Sequence, residues 1–139
     1  MLIIKNTIET TATPSQIWHI WQDIATWNTW DHDLEFSTLN GPFTTGTTGT
    51  LKFKTGPLLQ TKLAKVEPMH LFVQEANVPL ARFVMSHFVT ERNGKSTVTF
   101  KTEIRGPLAL FWALLMGKGI KKKIPIEMAA MIKKAEKQS

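Results

Sequence analysis

Asn93-Gly94, set between two long runs of alternating apolar and polar residues, restricts the fold of this 139-residue chain more than any other feature. The dipeptide supplies the two positive-φ positions of a type I′ turn, whose twist matches the strands it joins. Ala81 to Arg92 and Lys95 to Arg105 therefore read as one hairpin. A two-residue loop puts Arg92 opposite Lys95 and sets every other pair. Val89 faces Val98, His87 faces Phe100, Met85 faces Thr102 and Phe83 faces Ile104. These eight residues share one face, and six of them are apolar. The other face carries Arg82, Ser86, Thr90, Thr99, Lys101, Glu103 and Arg105. His87 is the one ionisable side chain that the pairing sends inward. Val84 and Phe88, apolar but assigned outward, mark where a bulge would upset the register.

A face this apolar must be covered, and only the last third of the chain, Gly106 to Ser139, is long enough to do it. Leu108 to Met116 contains no polar residue. Beyond Gly117, Ile120, Ile124, Met128, Met131, Ile132 and Ala135 recur at helical spacing. The apolar first half is expected to be the buried half. Pro107 suits the first helical turn, where its missing N–H has no intrahelical role. Pro125 predicts a kink or break near Lys121 to Ile124, in a region that Gly117 and Gly119 weaken by ~1 kcal/mol each relative to Ala. Such a bend is a candidate hinge for ligand entry. The nine-residue apolar run is far short of the ~20 residues that span a bilayer.

Ahead of the hairpin the chain reads in order. Leu2 to Thr10 alternates as a strand, with Leu2, Ile4 and Ile8 on one face. Thr13-Pro14-Ser15-Gln16 carries a capping box and a first-turn proline, opening a helix with Ile17, Ile20, Trp21 and Ile24 as its stripe. A second short turn or helix holds Trp27 and Trp30. The period then changes to two, with strands beginning at Leu34 and spanning Thr50 to Lys54, Leu58 to Glu67 and Leu71 to Ala76. Glycine and proline pairs punctuate them. The sum is an α+β single domain over residues 1–139: one strand, two short helices, six strands as an antiparallel meander, and a long helix.

This order resembles the START-like helix-grip fold, and specifically the SRPBCC superfamily that contains polyketide cyclase/dehydratase-like proteins. The residues that carry the resemblance are Ile8 through Ala12-Thr13-Pro14 and Ile17-Trp18, Asp23 to Trp27, and Trp30. The strand entry Gly46-Thr-Thr-Gly49-Thr50, the hairpin Asn93-Gly94-Lys-Ser-Thr97-Val98-Thr99, and Gly106-Pro107 before the last helix complete it. The resemblance implies a curved sheet of about seven strands wrapped around the C-terminal helix. Between them it implies a cavity for a small hydrophobic ligand such as a lipid, isoprenoid or polyketide-like molecule. Trp30, Phe53, Met85, His87, Phe100, Trp112 and Met116 are the expected ligand-binding residues. No cofactor and no metal is implied.

Carriage or sensing of such a ligand is the first functional expectation. The alternative is a cyclase or dehydratase that works by cavity shape, with His87 as acid and base. His87 also reads as a core histidine satisfied by backbone or water. The chain has no tyrosine, and such relatives are thought to use tyrosine, arginine and serine in their cavities. No serine or carboxylate can be placed beside His87, so no triad is proposed. Asp31-His32-Asp33-Leu34-Glu35 reads as a solvated strand entry, because on a strand His32 points away from the three acids. His19 and His70 read as surface residues.

The formal charge is +6, and seven lysines with two glutamates lie from Gly117 onward. That basic helix is expected to be a solvated face. A second alternative is a module docking a partner or an anionic membrane through it. Nucleic acid is not expected as a partner. Arginine, the better fork for phosphates and bases, occurs three times. The absence of cysteine excludes disulfides and thiolate chemistry. The N-terminus lacks a secretory pattern, so a cytoplasmic location is expected.

Overall fold

A computed structural model describes residues 2–137. Met1, Gln138, Ser139 and the side chain of Leu2 lie outside the described residues, including that part of the N-terminal and tail readings. Strand β1 spans Leu2–Thr10 and helix α1 spans Pro14–Gln22, followed by a 3-10 turn over Ile24–Thr29. Strands β2 to β7 occupy Leu34–Leu39, Thr48–Phe53, Leu58–Glu67, Leu71–Val78, Ala81–Arg92 and Lys95–Arg105. The last element is α2, Ala109–Glu136. The seven strands form one curved antiparallel sheet in the order β1-β7-β6-β5-β4-β3-β2.

The hairpin register is the one the turn dictates: Arg92 pairs with Lys95, His87 with Phe100 and Phe83 with Ile104. Asn93 and Gly94 have φ of 54° and 77°, as a type I′ turn requires. No bulge interrupts this pair. Bulges lie instead between Leu34 and Phe36 in β2 and between Leu63 and Lys65 in β4. The first turns Phe36 outward and Ser37 inward. Helix α1 opens with the expected capping box: Gln16 N–H donates to Thr13 Oγ1 at 3.2 Å, and Thr13 N–H donates to Gln16 Oε1 at 2.8 Å.

Helix α2 departs from expectation in three ways. It begins at Ala109, so Pro107 stands ahead of it in a turn rather than in its first turn. Leu108 N–H donates to Leu80 O at 3.0 Å and anchors that turn to the β5–β6 connection. Of the kink or break expected at Pro125, no break occurs: the helix continues through it for 28 residues. Pro125 and Lys121, whose carbonyl loses its helical partner, are both exposed, so water can satisfy that group.

The third departure is that burial along α2 is reversed. Leu114 is 77% exposed and Leu110 71%, with Phe111 and Leu115 also exposed. Ile124, Met128, Met131, Ile132 and Ala135 are buried. The cause lies in the partners each half meets. The C-terminal half rests on α1 and β1: Trp21 Nε1 donates to Met131 Sδ at 3.1 Å, and Thr10 Oγ1 donates to Glu136 Oε2 at 2.6 Å. The N-terminal half meets the Pro79–Leu80 turn on one side and solvent on the other.

Gly106 sets the entry angle of α2. Its φ is +112°, and a Cβ there would sit 2.8 Å from Leu80 O and 2.9 Å from Ala81 Cα. Both obstacles are backbone and cannot swing aside. Gly106→Ala is expected to destabilise the protein by about 2 kcal/mol or more, read as a lower midpoint in urea unfolding. An unchanged midpoint would show that the turn has freedom the packing denies it.

Candidate ligand-binding cavity

Because α2 is anchored at its C-terminal half, its middle crosses the sheet without closing on it. A cavity of about 410 Å³ remains between them. Leu51 and Phe53 of β3, Gln74 of β5, Phe83, Met85 and His87 of β6, and Phe100 and Thr102 of β7 form its wall. Trp27 and Trp30 close one side, and Met116, Ile120 and Ile124 of α2 form the roof. Of the seven expected binding residues, Trp30, Phe53, Met85, His87, Phe100 and Met116 line it. Trp112 does not. Its indole Nε1 donates to Pro79 O at 2.9 Å, and its ring packs against Phe111. One turn ahead of Met116, it reaches the β5–β6 turn and pins the start of the helix.

The wall is apolar but not wholly so. Trp30 is 4% exposed, and its Nε1 has no hydrogen-bond partner. Gln74, 2% exposed, leaves Nε2 unpartnered. His87 stacks on Phe72 at 4.0 Å with the rings 4° apart, and Phe100 meets its edge at 4.6 Å. Its Nδ1 is also without a partner. Burial drives the His87 pKa down from 6.5 to about 3, and the nearby backbone of Phe72 and Met85 offsets only part of this. At neutral pH the ring is uncharged.

A second polar group sits at the helix side. Lys123 Nζ lies 3.5 Å from Asp31 Oδ1, 3.8 Å from Asp33 Oδ2 and 4.2 Å from the centre of the Phe53 ring. All four side chains line the cavity, together with Glu127. The reading of Asp31 and Asp33 as a solvated strand entry is thus corrected. β2 starts only at Leu34, so strand alternation does not govern the two aspartates, and both turn toward α2. His32 and Glu35 stay exposed, with Glu35 Oε2 3.8 Å from Lys52 Nζ. Sequence reasoning missed Glu127. Its signal was present: Met116, Ile120, Lys123 and Glu127 recur at steps of four, three and four, one stripe of a helix.

Burial, and then the charge of Asp31, push the Glu127 carboxyl up to about 9, against the opposing pull of Lys123. Its Oε2 is buried, and the carboxyl is hydrogen-bonded with that of Asp31, which raises the pKa further. At neutral pH the cavity therefore holds an uncharged imidazole and an uncharged carboxylic acid.

A family model described as polyketide cyclase / dehydrase and lipid transport matches residues 1–136. The chain belongs to this family. Its fold is shared with proteins of very different sequence. A hypothetical protein of Helicobacter pylori superposes with a TM-score of 0.81 at 8% identity, over 96% of this chain and 88% of that one. Norcoclaurine synthase from Thalictrum flavum gives 0.75 at 16% identity, over 99% and 88%. The di-domain ARO/CYC StfQ of the steffimycin biosynthetic pathway gives 0.81 at 6% identity, over 98% of this chain and 51% of that one. Identities this low establish the helix-grip fold alone. No curated protein matches the chain significantly. Among the described residues, no helix is long and apolar enough to cross a membrane.

The depressed His87 pKa sets an acid limit on stability. Between pH 6.5 and about 3 the unfolded chain takes up a proton that the folded protein refuses. The stabilisation is complete above 6.5 and is lost as pH falls through that window. His87→Phe keeps the stack on Phe72 and removes the titration. Its melting temperature is expected to fall less than that of the parent between about pH 7 and about pH 4. Parallel losses in the two proteins would rule out His87 as the cause.

Proposed function

We propose that the protein binds a small hydrophobic molecule bearing one or two polar groups, to carry or to sense it, in the cavity between the sheet and α2. The observation that carries this reading is a cavity of about 410 Å³ whose wall is built largely of apolar side chains. Trp30, Phe53, Met85, His87, Phe100 and Met116 are the proposed contacts. Norcoclaurine synthase, which shares the fold, has been crystallised with the small aromatic molecules dopamine and hydroxybenzaldehyde. Carriage is favoured over a cyclase or dehydratase that depends on His87. A base with a pKa of about 3 holds a proton too weakly to serve as acid or base at neutral pH.

Two measurements test the reading together. Native mass spectrometry of freshly purified protein should find a small molecule retained, and an apolar naphthalene-type fluorophore should bind and raise the melting temperature. Met85→Trp, which fills the cavity, should weaken fluorophore binding by about tenfold or more. No retained molecule and no fluorophore binding would end the proposal.

A second reading of the same helix is favoured by its exposed face. Leu110, Phe111, Leu114 and Leu115 are solvent-facing, and Lys118, Lys121 and Lys122 follow them, also exposed. Apolar side chains beside lysines suit the boundary of an anionic lipid surface. Leu115 belongs to both this patch and the cavity lining, so docking there brings the cavity to the lipid. The protein is expected to sediment with vesicles containing phosphatidylserine and not with phosphatidylcholine alone, and Leu114→Glu should abolish that. Equal recovery with both vesicles would exclude it.

A further inference from the structure

We infer that ligand enters and leaves the cavity through a gap in α2 at Gly119, opposite the turn between β3 and β4. The assignment rests on the cavity-binding reading and adds the route by which the space is filled. Helix α2 packs chiefly on α1, β1, β7 and β6, so the space beneath it opens toward β3 and β4. Residues that line the cavity and are also exposed mark its mouth. They are Leu115 and Gly119 on α2, and Thr55 and Pro57 on the turn.

Leu115, Gly119 and Lys123 follow one another at steps of four, along one side of the helix. Leu115 supplies an apolar lip. Lys123 closes the far end, where its Nζ lies against Asp31, Asp33 and the Phe53 ring. Between them Gly119 contributes no side chain. Nothing in the backbone asks for glycine there: it sits within a helix, where glycine costs ~1 kcal/mol relative to Ala. Nothing in the packing asks for it either. Outside the helix's own backbone, an added Cβ would meet no atom within 4 Å. The helix thus forgoes stability at the point where the cavity meets solvent. The opposite lip is fixed: Lys52 Nζ donates to the carbonyls of Phe53 and Gly56 at 2.7 and 3.2 Å, and Thr55 Oγ1 donates to Asp33 Oδ1 at 2.9 Å. An apolar molecule crossing at Gly119 passes between Leu115 and Pro57 and leaves the Lys123 ion pairs in place.

The chain has no cysteine, so Gly119→Cys carries a single thiol. Benzyl methanethiosulfonate converts that thiol to a mixed disulfide and puts a bulky group in the mouth; dithiothreitol removes it. The probe is N-phenyl-1-naphthylamine, followed by stopped-flow fluorescence. Labelling is expected to slow association and dissociation alike, by about tenfold, with the dissociation constant little changed. Probe loaded before labelling should stay trapped, and reduction should restore the rates of the unlabelled variant. Pro57→Cys, labelled in the same way, repeats the test from the opposite lip. Labelled Ala129→Cys, exposed on the same helix and away from the mouth, should exchange as fast as before labelling. Unchanged exchange with a label at either lip would overturn the route while leaving the cavity reading intact. So would expulsion of the loaded probe by the label, which would place Gly119 inside the binding space. Gly119→Ala stiffens the helix without filling the gap, and an equal slowing there would assign passage to bending of α2 instead. If the parent binds no probe, the cavity reading falls and this one falls with it.

Discussion

The indole of Trp21 holds the two halves of the structure together. It sits at the meeting point of α1, the inner face of the sheet and the C-terminal half of α2. Its ring packs edge-on against Phe72 at 5.2 Å and against His87 at 6.0 Å, and its N–H reaches the sulfur of Met131. Trp18, Phe43 and Trp27 extend the same aromatic cluster around Phe72. A long helix fastened so firmly at one end need not be packed along its whole length. The cavity lies under its middle, between that anchorage and the bonds of Leu108 and Trp112 to the Pro79–Leu80 turn at its start.

Inside the cavity one physical cause acts on two groups of opposite sign. Removal from water disfavours charge, so it lowers the pKa of a base and raises that of an acid. His87 and Glu127 are both carried to their neutral forms, by different neighbours and from different elements. The resulting space contains polar atoms without a net charge on either group. Asp31, Asp33 and Lys123 lie together at its helix side, with Lys123 Nζ 3.5 Å from Asp31 Oδ1 and 3.8 Å from Asp33 Oδ2. A protein interior that leaves donors unmatched gives up stability at those positions.

The β6–β7 hairpin was legible in the sequence residue by residue, because period-two alternation and one Asn-Gly turn leave little choice of register, whereas the bulges in β2 and β4 carried no such signal. The capping box at Thr13 and Gln16 was legible for the same reason: it is local chemistry. What failed was inference about partners. Leu108 to Met116 is the most apolar run in the chain, yet burial depends on what stands opposite, and the aromatic residues of α1 stand opposite the other half. Trp112 was expected to line the cavity and reaches the β5–β6 turn instead. Asp31 and Asp33 were treated as strand residues, but the strand begins one residue later and the loop sends them toward α2. Glu127 lay in plain view on the stripe through Met116 and Ile120. A lone acid among lysines reads as a solvated residue until the fold shows which side of the helix faces inward.

The strand order has a consequence for how the chain reaches this state. β1 forms its ladder with β7, pairing Leu2 with Ile104 and Thr10 with Ser96. β1 therefore finds its neighbour only once β7, the last strand of the sheet, has been made. The β2–β7 meander can assemble from sequence-adjacent hairpins meanwhile, each closing a short loop. Docking of β1 and α2 must then bring distant segments together, the kind of non-local step that slows folding. Until it happens, the apolar face of the nascent sheet and the free edge of β7 are open to wrong partners. Synthesis rate and chaperone access during that interval then govern how much of the protein is recovered in its native form.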